Sequence, residues 1–267
     1  MKAKMIYILV AFFLCCLAYF LWENCHFTVT KYVYESEALP SAMDGLRILQ
    51  LSDLHGQSFG KDNEKLLNAL RNCKPDAIMI TGDLIDSTFT DPAAGIRLVE
   101  RLVTIAPVCY CTGNHEHRLE ETELQGFLSD LAAIGATVLA DRAVSFRGGI
   151  LVGLTDPTAR EPQALKKLLE PMGEECFTLL LSHKPHYFSN YTQADLVLSG
   201  HAHGGQLRLP LLGGLYAPGQ GFFPEYTKGF YSLENTTMLV SRGAGNSHRI
   251  PRLFNTPELI LLTLRRP

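Results

Sequence analysis

The chain has 267 residues, of which 46% are hydrophobic and 19% charged, and a net charge of −3. That is enough apolar material for one large folded domain and excludes a disordered chain. A pI near 6.3 leaves no basic footprint, so nucleic acid is not an expected partner. The seven cysteines are odd in number and include no C-x-x-C pair, which argues against a disulfide framework.

Met5 to Trp22 carries no charge, follows Lys2 and Lys4, and closes on Tyr19, Phe20 and Trp22. That length spans a bilayer core, and the aromatics sit where an interfacial belt would lie. The rival is a cleaved signal peptide, whose apolar region is shorter and ends in small residues; Tyr-Phe-Leu-Trp-Glu offers no such end. The expectation is an uncleaved, single-pass anchor over residues 1–22 with a cytoplasmic N-terminus, a connector over 23–44, and a folded domain over 45–267 outside the cytoplasm.

From residue 46 the pattern becomes regular. Apolar runs of strand length fall at Leu46–Ser52, Ala77–Thr81, Val108–Thr112, Ile150–Leu154, Phe177–Leu181, Leu196–Ser199, Thr237–Ser241 and Leu259–Leu264. Helical patterns occupy Asp62–Asn72, Pro92–Ile105 and Glu120–Ile134. Strands alternating with helices and then a strand-rich end predict an α/β domain with helices covering the sheet faces. Cys109 and Cys111 alternate within one run and read as small core hydrophobes. Gly204–Gly229 is the one long irregular segment, and such loops are often functional.

Five of these strands stop at polar residues: Asp53 and His55; Asp83 and Asp86; Asn114, His115 and Glu116; His183; His201 and His203. Each alone has a bland reading as a turn, a helix cap or a hydrogen-bonded histidine. Five such ends in a chain with nine histidines point instead to one convergent site at the carboxyl ends of strands. Oxygen donors mixed with imidazoles suit Mn, Fe, Zn or Co rather than Ca or Mg. Asp53, His55, Asp83, Asn114, His183, His201 and His203 exceed one tetrahedral site and suit two neighbouring metal ions. In an extended segment residues i and i+2 point the same way, so His201 and His203 are expected to face one cavity.

D-L-H, G-D-L-I-D, G-N-H-E, S-H and G-H-A-H, in that order, resemble the calcineurin-like metallophosphoesterase superfamily, and the flanks G-H-A-H-G-G-Q-L-R-L-P, S-R-G-A-G and P-E-L-I-L-L-T-L resemble its membrane-associated bacterial branch. The resemblance implies a four-layer α/β/β/α sandwich over residues 46–264. It implies that Asp53, His55 and His203 hold a first divalent metal ion, that Asn114, His183 and His201 hold a second, and that Asp83 bridges them. His115 resembles the family's proton donor to the leaving group, while Asp86 and Glu116 are read as bracing the ligands or their loops. Ser182 departs from the glycine of many relatives; its backbone makes the same turn provided φ stays negative.

His117, His186 and His248 are read as exposed loop histidines, the first two near the rim; Arg208, Tyr216 and Lys228 are weaker candidates for contacting phosphate or leaving group. The function implied is a membrane-anchored, metal-dependent phosphoesterase, a phosphodiesterase or pyrophosphohydrolase, acting on a phosphate ester at the membrane surface, lipid-linked or like UDP-2,3-diacylglucosamine. A protein phosphatase and an inactive metal-binding scaffold are the alternatives. Metal identity, with manganese among the candidates, substrate and oligomeric state stay open.

Overall fold

Sheet pairing explains most of the hydrophobic runs. The computed structural model describes residues 2–89, 91–173, 176–246 and 251–267. Helix α1 (Lys2–Cys25) leads into β1 (Thr28–Glu35), β2 (Arg47–Leu51), α2 (Glu64–Cys73), β3 (Ala77–Thr81), α3 (Pro92–Leu102), β4 (Val108–Cys111), α4 (Glu121–Ala133) and β5 (Thr137–Val138). The second half comprises β6 (Arg142–Phe146), β7 (Gly149–Leu154), α5 (Ala164–Leu169), β8 (Thr178–Ser182) and β9 (Leu196–Ser199). Two small hairpins follow, β10 (Arg208–Leu209) with β11 (Gly213–Gly214) and β12 (Tyr216–Ala217) with β13 (Gly221–Phe222). The chain closes with β14 (Gly229–Leu233), β15 (Thr236–Val240) and β16 (Glu258–Arg265).

Two six-stranded mixed sheets result, ordered β1-β16-β2-β3-β4-β5 and β14-β15-β9-β8-β7-β6. Their central strands are parallel and covered on both sides, so they read as unbroken apolar runs while their side chains still alternate. On β3, Ile78 and Ile80 face α2, α3 and α4 through Leu67, Val99 and Phe127. Met79 faces the other sheet, in a shared core with Cys109, Cys111, Leu179, Leu198 and Ile260. Leu180 and Val197 point outward to Leu165 on α5 and to Phe188 and Tyr191. This is the four-layer α/β/β/α order, with an outer layer on the second sheet made of α5 and short 3-10 turns.

Cys109 and Cys111 are buried and free, and burial pushes the Cys109 thiol up to about 11. The segment expected as a connector, 23–44, contains β1, paired in parallel with β16 along its whole length. Its sequence T-V-T-K-Y-V-Y-E alternates as a half-buried edge strand should, and the charged and aromatic residues obscured that period. Helix α1 includes an exposed window with mean hydropathy 2.4, long and apolar enough to cross a membrane by length and composition. His248 lies outside the described residues.

Candidate metal centre

The polar residues after β2, β3, β4, β8 and β9 meet at one end of the two sheets. Asp53, His55, Asp83, His183, His201 and His203 are all buried. Donor atoms of Asp53, His55 and His203 lie within 4.8 Å of one another, as do those of Asp83, His183 and His201. The nitrogens of His55 (Nε2) and His203 (Nε2) stand 3.2 Å apart, and His201 Nδ1 stands 3.2 Å from His183 Nε2. Asp83 Oδ2 lies 3.1 Å from His183 Nε2 and 3.7 Å from His55 Nε2, so one carboxylate reaches both groups.

The loops reach this geometry through unusual backbone. Asp53, His55, Asp83, His201 and His203 all have positive φ, between 46° and 65°. Left-handed backbone at non-glycine residues costs of order 1–3 kcal/mol each and persists where surroundings over-determine it, characteristically at active sites. This corrects the strand-alternation account of His201 and His203. They share a cavity because left-handed residues flank a right-handed Ala202, not because the segment is extended. Ser182 lies in β8 and is absent from the residues with positive φ, in keeping with its expected turn.

Hydrogen bonds lock the loops together. Both Asp53 oxygens accept from the His201 amide, at 2.9 and 3.1 Å, tying the first sheet's site edge to the second's. Gly200 is forced by that approach, since a Cβ there would overlap Ser52 Oγ and the Asp53 carboxylate. Asp83 Oδ1 accepts from the His115 amide at 2.8 Å. Fully buried Glu116 accepts from the amides of Asp83, Leu84, Ile85 and Gly113, holding two loops on one carboxylate. Asp86 Oδ2 lies 3.7 Å from His55 Nδ1 and 3.6 Å from His115 Nδ1.

The electrostatics divide the site. Burial raises the Asp53 carboxyl to about 6, with His183 opposing it. Burial lowers His55 to about 4 and drives His201 and His203 well down. Burial would also lower His183, but Asp83 at hydrogen-bond distance, then Asp53, raises it to about 10. Imidazole nitrogens set 3.2 Å from one another, beside two carboxylates, form a donor set that a divalent cation completes. Among the described residues the buried Asn114 Oδ1 has no hydrogen-bond partner, and it is an oxygen of the kind such a cation would take. The residues present therefore fit a divalent metal centre.

A cleft of about 490 Å³ opens over this cluster, lined by Asn114, His115, Arg118, Arg160, Lys184 and His201 among others. The family model for calcineurin-like phosphoesterases matches residues 46–205. The chain belongs to that family. It is 30% identical to the uncharacterized metallophosphoesterase YkuE of Bacillus subtilis, over 88% of this chain and 85% of that protein. It is 29% identical to a Danio rerio transmembrane protein with metallophosphoesterase domain, over 86% of this chain but only 55% of that protein. The crystal structure of TT1561 of Thermus thermophilus superposes with a TM-score of 0.50 at 14% identity, covering 75% of this chain and 89% of that one.

This metallophosphoesterase is a metal-dependent phosphoric ester hydrolase. Some of its candidate residues sit elsewhere than expected. His117 and His186 are half-buried rather than exposed: His117 Nε2 lies 2.8 Å from Thr112 Oγ1, and His186 packs against Gly219 and the His201 ring. Arg208, Tyr216 and Lys228 do not line the cleft. Arg208 instead donates to Gly204 O and Thr227 Oγ1, which turns it away from the site. Sequence reasoning missed Arg252, fully buried with Nη2 3.3 Å from His203 Nδ1, and Asn255, whose side-chain amide donates to the carbonyls of His203 and Gln206. Nothing in their loop distinguishes them until the chain is folded.

Proposed function

We propose that this chain is a membrane-anchored dinuclear phosphodiesterase or pyrophosphohydrolase. The observation that carries the reading is Asp83, whose carboxylate lies within reach of both triads. Asp53, His55 and His203 would hold one ion, Asn114, His183 and His201 the other, and Asp83 both. Divalent cations held there supply positive charge to phosphoryl oxygens and lower the pKa of water for attack.

The chain's own groups do the rest. Asp53 and Asp83 are fixed by the His201 and His115 amides, so the carboxylates do not reorient as charge develops. His115 borders the cleft beside Asn114, with Asp86 Oδ2 3.6 Å from its Nδ1. That placement supports the role of proton donor to the leaving alkoxide. Arg118, Arg160 and Lys184 on the rim favour a substrate with a second anionic group, as a diphosphate or a diester beside a charged headgroup has. Asp156 holds Lys184 at 2.9 Å, so that cation is positioned as well as charged.

The expected division into an anchor over 1–22, a connector over 23–44 and a metallophosphoesterase domain over 45–267 belongs to the same proposal, with β1 moved from the connector into the domain, whose sheet edge it forms. The apolar α1 supports it, with a catalytic body outside the cytoplasmic membrane and a lipid-linked substrate, UDP-2,3-diacylglucosamine being one of suitable chemistry. The test uses full-length protein in detergent, stripped by a chelator and assayed on bis-p-nitrophenyl phosphate with and without added Mn. Metal-restored hydrolysis is expected. No hydrolysis with two ions bound would favour the scaffold, and hydrolysis confined to phosphopeptides would favour a protein phosphatase.

A further inference from the structure

Away from the catalytic centre, the hairpins β10–β11 and β12–β13 expose an apolar surface. Leu211 is 105% exposed, Phe222 78%, Phe223 68% and Leu212 65%. Soluble surfaces rarely gather large apolar side chains this way unless the patch meets something. Among the described residues outside α1, most of the large hydrophobics that stay exposed lie in 207–223 or at Phe254.

The patch is fixed to the end of α1. The Phe254 ring packs on Tyr19, with centroids 5.9 Å apart. Glu23, fully buried, accepts from the amides of Phe254 and Asn255 at 3.0 and 2.6 Å. Asn24 exchanges two hydrogen bonds with the Arg252 backbone, and the Arg208 amide donates to Leu253 O. The last turn of the apolar helix and the base of the hairpins thus form one hydrogen-bonded unit. Phe254 also borders a groove of about 440 Å³ beside Leu209 and Leu211, whose basic members are Arg208 and Lys228.

We propose that this surface docks into the bilayer leaflet from which α1 emerges, with Leu211, Leu212, Phe222 and Phe223 among the acyl chains and Arg208 and Lys228 toward anionic headgroups. Apolar and aromatic side chains beside basic ones, next to an aromatic-ended apolar helix, are the chemistry of a membrane interface. Docking also places the catalytic cleft. Gly219, in the turn between β12 and β13, lines that cleft, and Gly205 backs directly on Gly214. A docked hairpin therefore holds the metal centre beside the leaflet, where a lipid-linked phosphate is presented without leaving the membrane.

The proposal builds on the reading of α1 as a membrane anchor, and the test separates the two. Trp22 is the sole tryptophan, so Trp22→Phe gives a silent background for Phe222→Trp and, independently, Leu212→Trp. Full-length proteins go into vesicles of phosphatidylcholine and phosphatidylglycerol, with and without lipids brominated near the headgroup end of the acyl chain, and circular dichroism checks folding. We expect blue-shifted emission at both hairpin positions, quenched by the brominated lipid as native Trp22 is. Quenching at Trp22 with none at either hairpin position overturns the docking and leaves the anchor. Quenching at neither Trp22 nor the hairpins overturns both. Hairpin quenching without Trp22 quenching upholds the docking and removes the anchor.

Discussion

The two sheets bring different chemistry to the same place. The first contributes both carboxylates, the Asn114 amide and one imidazole; the second contributes imidazoles only, His183, His201 and His203. Neither edge is at ease alone. Burial pushes Asp53 toward its neutral form and His201 and His203 toward theirs. The exception is the pair that crosses between the sheets, where His183 and Asp83 each favour the other's charged state despite burial. A buried charge is tolerable only when paired, so the cross-sheet contact ties the two edges of the donor set together.

Breaking that contact should have the largest effect. Asp83→Asn keeps the shape but removes the carboxylate that both triads face. Hydrolysis is expected to fall to the uncatalysed level, with both ions lost by elemental analysis; two ions at full occupancy would show that the sheets do not share this ligand. His115→Ala tests a residue on the first sheet's side that is not counted as a ligand. Turnover should drop by about 10²–10⁴-fold with metal content intact. The loss should be steeper for alkyl than for p-nitrophenyl leaving groups, because only the poor leaving group needs the proton. Metal lost together with activity would make His115 a ligand instead.

Two further substitutions sharpen the comparison through packing. Gly200→Ala inserts a methyl where the second sheet's edge meets Ser52 and Asp53. Overpacking of this kind costs about 1–3 kcal/mol, and weaker metal affinity should accompany the lower melting temperature. Unchanged affinity would mean that the His201–Asp53 contact is not needed to shape the site. Glu116→Gln lies wholly within the first sheet's loops, where an amide nitrogen would face amide N–H groups that now donate to a carboxylate. A buried group left unsatisfied costs about 1–3 kcal/mol, so stability should fall while the second sheet's imidazoles stay in place; a wild-type melting temperature would contradict the bracing role.

How much of this was legible in the sequence follows the same division. Strands such as Ala77–Thr81 and Leu196–Ser199 could be read because both faces are covered, and every polar residue that ends them stands out against an apolar run. The donors were visible for that reason. The edge strand β1 was not, because half of its residues face solvent and its alternation is diluted by Lys31 and Glu35. Arg252 and Asn255 were invisible for another cause. They act through contacts with His203 that lie 49 and 52 residues away in sequence, and neither residue sits in a helix or strand. Glu23 read as a charge closing the apolar span, whereas it is a buried acceptor for a loop more than 200 residues later.

The smallest expected effect concerns Ser182, where the second sheet departs from the glycine of many relatives. Its φ is not positive, so nothing in the backbone requires glycine, and its hydroxyl donates to Tyr191 Oη at 2.8 Å beneath His183. Tyr191 in turn donates to Lys184 O, so the serine belongs to a small network under one ligand and one rim cation. Ser182→Gly removes one buried hydrogen bond and frees the unfolded backbone, together about 1–2 kcal/mol. Thermal melting should record that loss, while turnover and metal content stay at the wild-type level. The imidazole is oriented chiefly from its other side, where His183 Nδ1 meets Thr81 O of the first sheet at 2.8 Å. A large fall in activity would show that the second sheet orients its own ligand, and the comparison would have to be redrawn.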